Sequence, residues 1–250
     1  MGVIWTSRTR TSQPKTEVPL LVKPAWVFLP TVPIELVSGT PVTYGSSGPP
    51  YTPSSEGRVF TTAAASSGNL YGEIAHSTGL QITGEAVFVM RIKVSAGAGT
   101  RISKTVGNGA TDSEYDFLAY EYLGAGVLTV ALTRVGSSGG YRTWGLLEST
   151  YRPPADKWVT LSVYAPPLVE TAPRFFADGV EVGTVVDIAG TGTGVPDVCS
   201  SPLRFNKRAD LTTSNDQSQI AVAYAIQGVG PLAAKRFSAN PWQIFAPERR

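Results

Sequence analysis

Ala86, Phe88, Met90, Ile92 and Val94 alternate with Glu85, Val87, Val89, Arg91 and Lys93. Period two over this length predicts a strand with one face on a core. Weaker alternation predicts a strand over Tyr115–Tyr122, with Leu118, Tyr120 and Tyr122 sharing a face. Val127–Thr133 groups Leu128, Val130 and Leu132, and Trp158–Tyr164 turns Val159, Leu161 and Val163 inward. Arg174–Ala177 and Val180–Thr184 flank Asp178-Gly179, a pair that tolerates positive φ and so predicts a type I′ hairpin. Leu203–Asn206 is a short strand, and Gln219–Ile226 sets Ile220, Val222, Tyr224 and Ile226 on one face with alanines on the other. One helix is predicted, opening at Pro231, where the missing N–H costs nothing, and ending at Asn240 before Pro241. Many short strands with one late helix predict an all-β chain, an antiparallel β-sandwich.

The first thirty residues read differently. Pro14, Pro19, Pro24 and Pro30 recur at short intervals, and Arg8, Arg10, Lys15 and Lys23 outnumber Glu17. Such prolines break helices and remove ladder donors, so residues 1–30 are expected to form an extended basic arm. Trp5, Arg8, Arg10, Trp26 and Phe28 are the residues expected to anchor that arm on a neighbouring subunit, since aromatic and arginine side chains dominate interfaces. Residues 31–58 form a turn-rich connection in which only Ile34–Val37 and Pro41–Tyr44 look strand-like. The sandwich is expected from residue 59 to 250.

Composition sharpens this. Of 250 residues, 42% are hydrophobic and only 16% charged, against about 25% charged in an average globular protein. Gly 26 and Pro 19 suit turns, and the chain is long enough to bury a core without disulfides or metals. The single cysteine, Cys199, excludes an intramolecular disulfide and gives no thiolate zinc site. A net charge of +2 does not support a general nucleic-acid binder. No apolar run approaches the ~20 residues needed to span a bilayer, so membrane insertion is not expected. The opening residues lack a signal-peptide core, so export by that route is not expected. Met1–Thr6 fits a myristoylation pattern only formally.

Several segments then occur in a familiar order. Ile92 lies on the long strand, Arg101-Ile102-Ser103-Lys104 supplies a Ser-Lys step, and Lys157-Trp158-Val159-Thr160-Leu161 begins a central strand with Trp. Phe175-Phe176-Ala177-Asp178-Gly179-Val180-Glu181-Val182-Gly183 gives an aromatic–Asp–Gly hairpin. Leu203-Arg204-Phe205, Ile220–Ile226 and a short helix follow. This order, over about residues 60–245, resembles the laminin-G-like, concanavalin A-like lectin/glucanase superfamily, and implies a jelly-roll sandwich. The closing Phe237-Ser238-Ala239-Asn240-Pro241-Trp242-Gln243-Ile244-Phe245-Ala246-Pro247 resembles that of laminin-G-like proteins of tailed bacteriophages and prophages. The opening Trp5-Thr6-Ser7-Arg8-Thr9-Arg10-Thr11-Ser12-Gln13-Pro14 resembles the start of such proteins. Trp242, Ile244 and Phe245 must in any case be covered, most simply by their own sandwich.

Candidate chemistry is sparse. Glucanases of this superfamily use paired carboxylates on one sheet face, and residues i and i+2 of a strand share a face. Asp112-Ser113-Glu114 and Glu114-Tyr115-Asp116 fit that spacing but lie at a loop-to-strand junction beside Gly107 and Gly109, which suits a solvated turn better. His76 is the lone imidazole and no Gly-x-Ser-x-Gly elbow accompanies it, so it reads as a surface or structural histidine. The run Gly190–Gly194 lacks the Gly-Lys-Ser/Thr of a phosphate loop. No cofactor is expected. Calcium is a minor alternative, with Asp112, Glu114, Asp116, Asp210, Asn215 and Asp216 as its oxygen donors.

The expectation is therefore a non-enzymatic structural protein of a tailed-phage virion, assembled in the host bacterial cytoplasm. Its arm would decorate the capsid by binding other virion proteins, in many copies of a symmetric assembly. The alternative is a tail fibre or spike module binding host-surface glycans through Tyr115, Tyr120, Tyr141 and Trp144 as exposed aromatics. A glycoside hydrolase is the third reading.

Overall fold

The computed structural model describes residues 23–45, 51–61, 71–95, 99–105, 113–120, 129–206 and 218–245. The strands begin with β1 (Pro24–Phe28), β2 (Val42–Tyr44), β3 (Tyr51–Ser54), β4 (Gly57–Thr61), β5 (Gly72–Ile74) and β6 (Ala86–Val94). Next come β7 (Gly99–Thr105), β8 (Ser113–Tyr120), β9 (Val130–Val135), β10 (Tyr141–Leu146) and β11 (Trp158–Ala165). The last are β12 (Arg174–Ala177), β13 (Val180–Glu181), β14 (Val185–Gly190), β15 (Leu203–Phe205) and β16 (Ser218–Gln227), followed by helix α1 (Pro231–Ala239). They pair antiparallel in two sheets. The first runs β13-β12-β11-β6-β16-β4-β3, with β1 also on β16; the second runs β14-β10-β9-β8-β7-β15-β5-β2.

The inner faces meet in one core. Phe28 stacks on Phe205 at 3.9 Å between ring centroids and meets Phe60 edge-on at 5.9 Å. Phe88 of the first sheet packs on Tyr115 of the second at 4.8 Å. The alternation of β6 is partly overwritten, because Val87 and Val89 are as buried as Phe88 and Met90. The cause is α1, which covers the outer face of the first sheet. Ser162 Oγ donates to the Ala234 carbonyl at 2.7 Å, and Phe237 meets Tyr224 edge-on at 5.8 Å. Beyond the helix, Ile244 is buried, Trp242 and Phe245 pack against the core, and Tyr224 donates its hydroxyl to the Pro241 carbonyl at 3.0 Å. The closing segment thus packs on its own sandwich. The Asp178-Gly179 turn has φ of +46° and +86°, the two positive values a type I′ hairpin requires.

The arm boundary needs correction. Residues 24–28 are not an arm but strand β1, whose Trp26 and Phe28 are fully buried opposite Ala225 and Ala223 of β16. Pro24 is tolerated because it is the first residue of its strand. β2, β3 and β4 likewise enter the two sheets, so the sandwich begins well before residue 59. Trp5, Arg8 and Arg10 lie outside the described residues.

Ile34–Val37 is not a strand either; only Ile34 makes a bridge, to Pro41. The reason is Glu35, whose buried carboxylate collects local donors that a ladder would otherwise use. It accepts the N–H of Val27 (2.6 Å), Val37 (2.9 Å) and Ser38 (2.6 Å) and the Ser38 hydroxyl (2.6 Å). One carboxylate thereby ties this turn to β1. Glu35→Gln presents an amide NH₂ to N–H donors, so it should lower the unfolding free energy by about 1.5–3 kcal/mol. Denaturant titration checks this; a change below about 0.5 kcal/mol would show that the cage contributes little.

Candidate functional site

The second sheet has one face in the core and one outward. Ile74, Leu203, Phe205, Ile102, Phe117, Leu132 and Leu146 are buried, and they define its inner side. Strand alternation then turns Thr43, Glu73, Arg204, Ser103, Asp116, Thr133 and Thr143 to the other side. The register puts them in one row. Thr43 lies opposite Glu73, Glu73 opposite Arg204, Arg204 opposite Ser103, and Ser103 opposite Asp116. Asp116 lies opposite Thr133, and Thr133 opposite Thr143. One polar side chain from each of β2, β5, β15, β7, β8, β9 and β10 thus forms a lane across the strands. At the usual inter-strand spacing of about 4.8 Å the lane is roughly 29 Å long.

Neighbours along the lane support one another. Arg204 Nε donates to Glu73 at 2.6 Å, and its guanidinium lies 5.6 Å from the centre of the Tyr71 ring. Arg101, two residues before Ser103 on β7, approaches Asp116 at 3.4 Å through Nε. The Thr133 and Thr143 hydroxyls are 2.8 Å apart. Ser103 and Asp116 are buried, Glu73, Arg204 and Thr133 half-buried, and Thr43 exposed. Hydroxyl, carboxylate and guanidinium groups in a row can both donate to and accept from a polyhydroxylated ligand.

The carboxylate pair seen in the sequence comes apart. A bulge in β8 breaks the register between Lys104 and Thr105, so that Tyr115 faces Lys104 and Ser113 faces Thr105. Glu114 turns inward and binds Lys104 Nζ at 2.9 Å, while Asp116 faces outward to Arg101. The two carboxylates therefore lie on opposite faces of the sheet and cannot flank one glycosidic bond. The calcium set is divided in the same way, and Asp112, Asp210, Asn215 and Asp216 fall outside the described residues.

The aromatic candidates also separate. Tyr115 is 1% exposed and inside the core against Phe88, so it is corrected to a packing residue. Burial lifts its hydroxyl well above the ordinary tyrosine range. Trp144 stands on the inner side of β10, half-buried, with Nε1 donating to the Val169 carbonyl at 2.9 Å and Arg142 5.2 Å from its ring centre. Tyr141 shares the outward face of Thr143 by alternation and is half-buried at the edge of the lane. Tyr120 lies on β8, its side chain outside the described residues. His76 is exposed.

Sequence reasoning missed most of the lane. Its local signal is the polar partner of each alternation: Arg101 and Ser103 beside Ile102, and Asp116 beside Phe117. It also missed that Lys104, Glu114 and Arg134 turn inward. Arg134 donates to the carbonyls of Pro166 (2.8 Å), Gly84 (3.0 Å) and Ile82 (3.3 Å), and burial lowers its guanidinium to about 10.

This antiparallel two-sheet β-sandwich is shared with several solved structures. The chain is similar to domain 4 of AbnA, a GH43 extracellular arabinanase from Geobacillus stearothermophilus, in complex with arabinotriose. The TM-score is 0.57 at 14% identity, over 88% of this chain and 99% of that one. It is similar to the binding domain of Paraclostridial Mosquitocidal Protein 1, with a TM-score of 0.61 at 10% identity over 90% of this chain and 53% of that one. It is also similar to the Ruminococcus gnavus IT-sialidase CBM40 bound to α2,3-sialyllactose, with a TM-score of 0.50 at 10% identity, covering 72% of this chain and 95% of that one. No family model and no curated protein sequence matches the chain.

Proposed function

We propose that the protein is a non-enzymatic carbohydrate-binding module whose ligand lies along the polar lane of the second sheet. The lane carries the reading: seven adjacent strands each offer one hydrogen-bonding side chain to the same outer face. Sugars present hydroxyls that donate and accept, and paired Asp–Arg and Glu–Arg groups match both roles. Similar folds with arabinotriose and α2,3-sialyllactose bound are in keeping with it. The division of Glu114 from Asp116 favours binding over hydrolysis.

The setting we propose is a tailed-phage virion, supported by the resemblance of the segments 5–14 and 237–247 to phage laminin-G-like proteins. There the module would recognise host-surface glycans from a fibre or spike. Decoration of the capsid through an arm loses two of its anchors, because Trp26 and Phe28 belong to the core.

Asp116→Ala and Arg204→Ala should each weaken glycan binding about tenfold or more, since each removes a charged hydrogen-bonding group from the lane. A glycan array identifies the ligand, and titration calorimetry measures the loss with circular dichroism confirming the fold. Full affinity in both folded variants would place the ligand elsewhere.

A further inference from the structure

We infer that the ligand of the lane is a neutral, linear oligosaccharide laid across the strands; this rests on the glycan-binding reading above. The first argument is charge. Arg101 stands 3.4 Å from Asp116 and Arg204 stands 2.6 Å from Glu73. Each cation of this face has its own carboxylate, and no further Asp, Glu, Lys or Arg turns outward on these strands among the described residues. An acidic sugar would have to displace Asp116 or Glu73 to reach a guanidinium, and its carboxylate would approach another carboxylate. A neutral hydroxyl meets no such conflict: it accepts from the guanidinium and donates to the carboxylate of the same pair.

The second argument is unused donor capacity. Ser103 Oγ, on a side chain 1% exposed, and Arg101 Nη1, on the guanidinium that faces Asp116, have no hydrogen-bond partner among the described residues. Buried polar groups are normally satisfied. These donors are adjacent and lie in the floor of the lane at its middle. The third argument is direction. The register sets the polar groups in a straight row perpendicular to the strands, which fits an extended chain better than a branched or terminal sugar.

The full-length protein is titrated with arabino- and cello-oligosaccharides of increasing length, and with α2,3-sialyllactose and oligogalacturonates. Each titration is run at about 50 and about 500 mM NaCl, where screening differs strongly. The expected result is binding to a neutral series, with affinity rising to roughly six sugar units, the length of the lane, and then levelling. The salt change should alter that affinity less than about twofold. Ser103→Ala should weaken it while Arg174→Ala, at an exposed position on β12 of the first sheet, leaves it unchanged. Acidic oligosaccharides binding tenfold tighter than every neutral one, with salt weakening them, would overturn the neutral assignment and leave the glycan reading standing. Binding unaffected by every lane substitution would overturn the lane itself.

Discussion

Replacing Lys104 by Met should lower the unfolding free energy by about 3–5 kcal/mol, because it strands a buried carboxylate. Lys104 and Glu114 are both fully buried, 2.9 Å apart. Lys104 Nζ also donates to the Cys199 carbonyl at 2.7 Å, and Glu114 accepts the backbone N–H of Ile82. Burial raises the Glu114 carboxyl above its ordinary value, and the Lys104 charge and these hydrogen bonds only partly draw it back. A carboxyl raised in the folded state holds its proton more tightly folded than unfolded. Its contribution is therefore full below the unfolded value and is lost as pH rises through the folded one. Removing Lys104 takes away the main opposing charge, so the loss deepens. The gap between wild type and Lys104→Met should be small near pH 4 and widen toward pH 7. Adding Glu114→Leu should recover much of the loss, since an apolar pair of similar volume replaces a buried ion pair at little cost. Urea titrations at both pH values test this. A pH-independent gap would mean that lost packing, not the stranded charge, explains the effect.

Trp26→Ala should cost about 3–5 kcal/mol, the range for removing a large aromatic side chain from a core. Trp26 is 0% exposed, lies 5.9 Å from Phe205 edge-on, and sits on a strand hydrogen-bonded to β16. Its indole N–H contacts the hydroxyl of the buried Tyr115. Trp26→Phe should recover much of the stability, because it keeps an aromatic ring against Phe205 and loses only the indole's second ring and its contact with Tyr115. A thermal melt of both variants decides the matter. A Trp26→Ala protein as stable as wild type would restore the residue to an interface role.

These two residues mark where local reading fails. Trp26 stands among prolines in a basic stretch, the pattern of an exposed arm. It is core because β16, some two hundred residues later, offers a free edge next to it. Lys104 follows Ile102 by two positions, so alternation already turns it inward; its charge argued the opposite. Only the β8 bulge, which turns Glu114 to meet it, resolves the contradiction. The same bulge separates Glu114 from Asp116, which the i, i+2 rule would keep together.

The sequence by itself determined the class of fold, the long strand Ala86–Val94, the Asp178-Gly179 hairpin and the helix opening at Pro231, because each depends on periodicity or φ preference within a few residues. Only the tertiary structure decided which polar residues stand in line. The lane joins strands from Thr43 to Arg204, and its order follows from sheet register. Register is set by which strands pair, and pairing is a long-range choice governed by burial of the whole inner face.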